Sequence, residues 1–230
     1  HAQGEQITSV RLNKYKQFDL HTHSFLNHTA PVSWCAQGVY LNERPLFVLD
    51  PLWHAGAYYV QEASSMFIQY LLDHLNMDTT SMVLDLCAAP GGKSTLLANW
   101  FNNGLVVANE TIKGRNAILV ENITKWGADN MIVTQNDPAH FKALPNFFDL
   151  VMIDAPCSGS GLFRKDISAI SEWSLDNVQH CSLRQERIIE ESLDTLKEGG
   201  YLIYSTCSYS FEEDEKIMDQ IVNLPGMVNI

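Results

Sequence analysis

Between residues 82 and 205, short apolar runs alternate with longer stretches of helical character, and few folds accommodate that alternation. Met82–Leu86, Leu105–Asn109, Met131–Thr134, Phe148–Ile153 and Tyr201–Tyr204 read as strands. Lys93–Asn102, Lys113–Trp126, Asn177–Leu196 and Glu212–Asn223 read as helices, closed by Gly104, Gly127 and the pair Gly199-Gly200. Strands joined through helices make a parallel sheet, so the expected fold class is α/β, a mostly parallel doubly wound sheet. The first 60 residues differ, being rich in His, Asn and aromatics with weak periodicity. They are expected to form a small N-terminal subdomain, residues 1–60, with a strand at Thr8–Leu12 and a hairpin from Val39 to Leu49. A helix at Ala63–Leu75 then leads into the larger domain, residues 61–230. Met227-Val228-Asn229-Ile230 reads as the start of a sixth strand, so the sheet is expected to lack its last strand or strands.

Composition limits what the chain can do. No apolar run approaches the ~20 residues that cross a bilayer, and no signal peptide is visible, so a cytoplasmic monomer without a membrane partner is expected. Cys35, Cys87, Cys157, Cys181 and Cys207 show no paired zinc-ribbon spacing, which argues against a metal, and without a secretory signal reduced thiols are expected. The net charge of −12 weighs against a nucleic-acid partner. Much of it falls between residues 186 and 219, where ten acids, Glu213 among them, face three bases. That stretch reads as a solvated face on two helices, and binding depends on local potential rather than the total.

Three loops at strand ends carry the chemistry, because the C-terminal ends of strands in such sheets are where ligands bind. In the first, Asp85-Leu86-Cys87-Ala88-Ala89-Pro90-Gly91-Gly92-Lys93-Ser94, glycines precede a helix whose N-terminus favours a negative group such as a carboxylate. A P-loop would place glycine where Cys87 stands, and the three-glycine dinucleotide pattern is also absent. S-adenosylmethionine fits what remains. Glu110 ends the second strand, where a carboxylate can accept from both ribose hydroxyls, and Asp137 follows the third, placed to meet an adenine amino group. The other two loops are Asp154-Ala155-Pro156-Cys157-Ser158-Gly159 and Ser205-Thr206-Cys207-Ser208-Tyr209-Ser210. Their polar, strand-end setting argues against inert packing of Cys157 and Cys207. Cys35 and Cys181 read as small apolar residues, and Cys87 as shaping its loop through its backbone. Spacing alone does not say which of the two strand-end thiols attacks first.

The strings DLCAAPGGKS, NETIKGRNAILVENITKWG, DAPCSGSGLFRKD and YSTCSYS with its acidic helix resemble the Sun (RsmB/RsmF-like) family of RNA cytosine-5 methyltransferases. The resemblance covers roughly residues 56–220, with an echo at Ser9-Val10-Arg11-Leu12-Asn13. It implies a Rossmann-like S-adenosylmethionine-dependent methyltransferase fold. It also implies that Cys87, Ala88, Ala89, Pro90, Gly91, Gly92, Lys93, Glu110, Asp137 and Asp154 line the cofactor site. Cys207 would be the nucleophile and Cys157 would assist product release, with Lys93 and Asp154 near the base. Ribosomal RNA is the first substrate expected and tRNA the second.

Such chemistry has use for two thiols. Carbon 5 of cytosine is a poor nucleophile until a thiolate adds to carbon 6. A second thiol can then assist elimination. Lys93 would favour the thiolate, and Asp154 could hydrogen-bond the base's polar edge. Phe163-Arg164-Lys165 and a strip of Arg11, Lys14 and Lys16 are candidate RNA contacts, while His21, His23 and His28 read as surface residues. Rival readings are a methyltransferase acting on DNA or a protein amide, and a non-catalytic module that holds S-adenosylmethionine on a ribosomal particle.

Overall fold

A computed structural model of the chain describes residues 7–16, 28–163 and 165–230. His21, His23 and Arg164 lie outside the described residues. Strands β1 (Thr8–Leu12), β2 (His28–Pro31), β3 (Gly38–Leu41) and β4 (Tyr58–Val60) form an antiparallel sheet in the order β2-β3-β1-β4. The hairpin expected over Val39–Leu49 is absent. After β3 the chain passes Pro45, which has no N–H to give a ladder, into a 3-10 turn at Phe47–Leu49. The true partner of β3 in a hairpin is β2, which carried no strand signal. Helix α1 (Pro51–His54) starts at a proline, with Asp50 capping it by accepting from the Leu52 N–H at 2.9 Å. The helix expected at Ala63–Leu75 divides into a 3-10 turn, Ser64–Phe67, and α2 (Ile68–Leu75).

The larger sheet holds β5 (Met82–Asp85), β6 (Leu105–Asn109), β7 (Met131–Thr134), β8 (Phe148–Asp154) and β9 (Leu196–Ser205), all parallel, in the order β7-β6-β5-β8-β9. Helices α3 (Gly92–Trp100), α4 (Lys113–Trp126), α5 (Ser168–Glu172), α6 (Leu175–Ser192) and α7 (Glu215–Val222) connect the strands or follow them. Alternate residues of each central strand point to opposite faces, and both faces are covered. Val83, Val106 and Met152 pack with Leu72 of α2 and Leu97 and Phe101, while Leu84, Val107 and Val151 pack with Ile188 of α6 and Ile217 of α7. That two-sided burial explains why these strands read as nearly continuous apolar runs. Truncating a fully buried residue such as Leu97 to Ala is expected to cost about 2–5 kcal/mol.

Further expectations fail in the last third of the chain. The helix drawn from Asn177 to Leu196 starts earlier, where the Ser174 hydroxyl accepts from the Asn177 N–H at 3.1 Å, and ends at Ser192. Gly199-Gly200 does not close it. The pair lies in a bulge of β9, between the Phe148↔Leu196 and Leu150↔Tyr201 pairings, with Gly199 at φ +74°. Residues 227–230 form no strand.

The strand order reverses at β5 and β8. Loops leaving neighbouring strands in opposite directions open a crevice there. The first of the three loops follows β5, the Cys157 loop follows β8, and the Cys207 loop follows the adjacent β9.

Candidate active site

Asp85 closes β5 and is completely buried. Its Oδ2 accepts from the Ser94 hydroxyl at 2.6 Å, while Oδ1 has no hydrogen-bond partner among the described residues. Burial pushes its carboxyl up to about 7 despite the Ser94 bond. The loop beyond is held by backbone: Gly91 N–H donates to Ala88 O and Ala88 N–H to Asn109 O, both at 2.8 Å. Gly91, at φ +108°, turns the chain into α3. A Cβ at Gly92 would come within 3.2 Å of the Tyr59 ring. Glycine there therefore admits the N-terminal sheet. Cys87 is pushed up to about 12 by burial first and then by Asp85, Glu110 and Asp154, so it stays a neutral thiol.

Arg11 corrects the expectation of an exposed basic strip. It is 0% exposed, covered by the start of α3 and the Trp126 ring. Its guanidinium donates to Gln61 Oε1 at 2.8 Å, Gly92 O at 3.0 Å and Thr95 Oγ1 at 2.6 Å, and lies 4.5 Å from the centroid of the Trp126 ring. Arg11 thus fastens the N-terminal sheet to the loop and first turn of α3. Lys14 and Lys16 reach the carbonyls of Asn99, and of Ala55 and Lys125.

Glu110 is buried beyond β6. Oε1 accepts from the Ile112 N–H at 2.9 Å, and Oε2 has no hydrogen bond among the described residues but is ion-paired with Arg115 Nη1 at 3.4 Å. Asp137 caps a 3-10 turn by accepting from the Ala139 N–H at 3.1 Å. Arg187 Nη2 donates to both of its oxygens, at 3.0 and 2.9 Å. The Ala139 N–H, then Arg187, holds its carboxyl below the ordinary range.

On the far side of the crevice, Cys157 Sγ and Cys207 Sγ are 3.1 Å apart. They share a groove of about 730 Å³ with Lys93, Asp154, Lys165 and Phe67. Lys93 Nζ is ion-paired with Asp154 Oδ1 and donates to Ser205 Oγ at 3.2 Å. Ser205 in turn donates to the same Oδ1 at 2.8 Å, and Asp154 Oδ2 carries no hydrogen bond among the described residues. The two thiols are driven apart in acidity. The Cys157 thiol hydrogen-bonds Cys207 and lowers it to about 7, helped by Lys93 and opposed by burial and by Asp154. Cys157 is raised, first by that shared hydrogen bond and then by burial. One thiolate beside one thiol can add to an electron-poor carbon and then supply or accept a proton.

The structure therefore brings Lys93, Asp154, Cys157 and Cys207 together, and sets Cys87 to Gly92 and Glu110 on the adjoining side of the switch point. Asp137 turns toward Arg187. Of the expected RNA contacts, Lys165 is paired with Glu62 at 2.9 Å, and Phe163 packs edge-on against Trp173, their ring centroids 6.3 Å apart. Cys35 is buried and Cys181 half-buried on α6. Sequence reasoning missed Ser205 and Glu213. Glu213 was assigned to a solvated face but is 0% exposed. The run of hydroxyls in Ser205-Thr206-Cys207-Ser208 was the available signal, since buried hydroxyls need acceptors.

A doubly wound sheet with a glycine loop after β5 and two touching thiols after β8 and β9 defines the Rossmann-like methyltransferase class. The chain belongs to the 16S rRNA methyltransferase RsmB/F family, whose model matches residues 70–227, and a model of the N-terminal domain of 16S rRNA methyltransferase RsmF matches residues 1–63. It is 40% identical over 195 residues to ribosomal RNA small subunit methyltransferase F of Pectobacterium atrosepticum, covering 81% of this chain and 40% of that protein. The chain thus spans less than half the length of the curated relatives it matches. A methyltransferase homolog from Pyrococcus horikoshii has the same fold, with TM-score 0.78, 30% identity and coverage of 95% of this chain and 70% of that one. NSun6 from Pyrococcus horikoshii, solved with SFG, matches with TM-score 0.68 and 28% identity over 78% of this chain and 45% of that one.

Proposed function

We propose that this chain is the catalytic part of an RNA cytosine-5 methyltransferase that uses S-adenosylmethionine and works through a covalent bond from Cys207 to the base. The observation that carries this reading is the 3.1 Å approach of Cys157 and Cys207 beside the Lys93–Asp154 pair.

The chain's residues fit the methyl donor. Glu110 Oε2, ion-paired with Arg115 but without a hydrogen bond among the described residues, can accept from a ribose hydroxyl, and Asp85 Oδ1, also without a hydrogen bond among them, marks a second buried acceptor behind the loop. The amides around Gly91 and Gly92, at the start of α3, suit a carboxylate. Asp137 would meet the adenine by sharing oxygens that Arg187 now holds. When bound, the donor supplies an electrophilic sulfonium methyl group. Residues Cys87, Ala88, Ala89, Pro90, Gly91, Gly92, Lys93, Glu110, Asp137 and Asp154 make up this proposed site.

Cys207, as thiolate, adds to carbon 6 of cytosine and makes carbon 5 nucleophilic. Asp154 Oδ2 faces the polar edge of the base, while Lys93 holds Oδ1 and orients the carboxyl. As Cys207 adds, the Cys157 thiol gives its proton to the ring and becomes a thiolate; after methylation it takes the carbon 5 proton, and the Cys207–carbon 6 bond breaks to return the Cys207 thiolate beside a Cys157 thiol. The names of the relatives favour ribosomal RNA over tRNA as the substrate. A cytoplasmic monomer is part of the same reading, as is a division into an RNA-contacting N-terminal subdomain, residues 1–60, and a catalytic domain, residues 61–230. The test is incubation with labelled S-adenosylmethionine and small-subunit RNA, tRNA or DNA. Label in 5-methylcytosine of the ribosomal RNA is the expected result, and label in no nucleic acid would remove the proposal.

A further inference from the structure

Glu213 draws together two loops that lie 50 residues apart in the chain. Oε1 accepts from the Ser158 N–H at 2.8 Å and from Gln185 Nε2 at 3.2 Å. Oε2 accepts from the Ser158 hydroxyl at 2.5 Å and the Ser208 hydroxyl at 2.6 Å. Both oxygens serve only as acceptors, as an ionised carboxylate requires. A buried carboxylate with a full set of donors is a rigid node, because each bond lost would leave charge uncompensated.

The two serines are the residues that directly follow the two thiols, Cys157-Ser158 and Cys207-Ser208. Other contacts stitch the same loops: the Gly161 N–H donates to Cys207 O at 2.7 Å, the Tyr209 N–H to Ser160 Oγ at 2.8 Å, and Ser208 Oγ lies 3.4 Å from both Ser158 Oγ and Ser160 Oγ. Gly161 has to be glycine, since a Cβ there would fall 2.4 Å from Cys207 O. These contacts let the loops approach. The carboxylate of Glu213 is the group that grips both at the residue beside each sulfur, and Gln185 anchors it to α6 while also donating to Pro156 O at 3.0 Å.

We propose that Glu213 is a positioning residue that fixes the separation of the Cys157 and Cys207 sulfurs, so that the second thiol lies within reach of the ring that the first has attacked. The inference rests on the reading of these thiols as a working pair. A purely structural Glu213 would stabilise the fold without setting that separation.

Phenylarsine oxide distinguishes the two roles. Trivalent arsenic condenses with two neighbouring thiols, forming two As–S bonds and releasing the oxygen as water, so its affinity reads sulfur spacing without RNA or a methyl donor. The wild-type chain is expected to bind one equivalent at Cys157 and Cys207, protecting both from alkylation as mapped by peptide mass. Glu213→Ala is expected to weaken capture at least about tenfold and to lower kcat at least about tenfold, with KM for RNA within about twofold. Glu213→Gln is expected to keep capture within about threefold, since its amide can accept from the Ser158 N–H and donate to the serine hydroxyls. If Glu213→Ala does not give a cooperative melt, the Ser158→Ala, Ser208→Ala double variant, which retains the carboxylate, takes its place with the same expected loss. Wild-type capture in the folded variant would overturn the proposal, as would a loss in Glu213→Gln as large as in Glu213→Ala. Failure of the wild type to methylate RNA would strike only the functional reading.

Discussion

The two sides of the switch point are held by different means. After β5 the loop is fastened through local contacts, such as the Gly91 N–H to Ala88 O and the Ser94 hydroxyl to Asp85 Oδ2. After β8 and β9 the loops are fastened to each other through side chains that converge on Glu213 from distant parts of the sequence. Acidity follows the same division. Burial and three carboxylates push Cys87 up to about 12, while a donated hydrogen bond and Lys93 bring Cys207 down to about 7. One residue type is thus inert on one side and poised on the other, through its neighbours alone.

The largest expected difference tests that contrast at the thiols. Cys207→Ala is expected to lower methyl transfer by at least about 10³-fold, whereas Cys87→Ala should change it less than about threefold; equal losses would erase the distinction. Next in size, Lys93→Met removes the cation beside Cys207 and Asp154, and kcat is expected to fall about 10²-fold in single-turnover assays. On the opposite side, Glu110→Gln is expected to raise KM for the methyl donor roughly tenfold by isothermal titration and kinetics, with a smaller change in kcat.

Two pH profiles sharpen the comparison further. In the proposed mechanism Cys207 attacks as the thiolate, so activity should drop about tenfold per pH unit below its value of about 7 and level off above it. A limb near the ordinary thiol value of 9.0 would mean that Cys157 does not lower it. Asp85 gives the opposite sign. Its folded-state value, about 7, exceeds the ordinary 3.8, so the folded protein holds the proton more tightly. Its contribution is complete below the ordinary value and is lost as pH rises toward 7. Asp85→Asn should therefore gain stability relative to wild type between pH 5 and pH 8, by about 1–3 kcal/mol in urea melts. No pH dependence in that difference would show that Asp85 is already ionised throughout.

These differences also explain what could be read from the sequence. The parallel sheet was legible because strands buried on both faces leave unbroken apolar runs, and the β5 loop because strand, glycines and helix are contiguous. Elements whose form depends on distant partners were misread. β2 takes its shape from pairing with β3, Gly199-Gly200 bulges inside β9 to keep register with β8, and Arg11 is buried by α3 and Trp126. Glu213 is the plainest case. Its neighbours Glu212 and Glu215 make it look like one charge in a solvated run, and the convergence of Ser158, Gln185 and Ser208 reveals a buried acceptor.

The central claim is that Cys207 forms the bond to the base and Cys157 lies beside it to help break that bond. It is tested most directly by mixing the Cys157→Ala variant with substrate RNA and S-adenosylmethionine, denaturing, digesting with nuclease and protease, and locating the modified peptide by mass spectrometry. The account predicts a methylated cytidine adduct on the peptide containing Cys207, and none in the Cys207→Ala variant. An adduct on position 157 in the Cys207→Ala variant, with none on Cys207 in the Cys157→Ala variant, would contradict it.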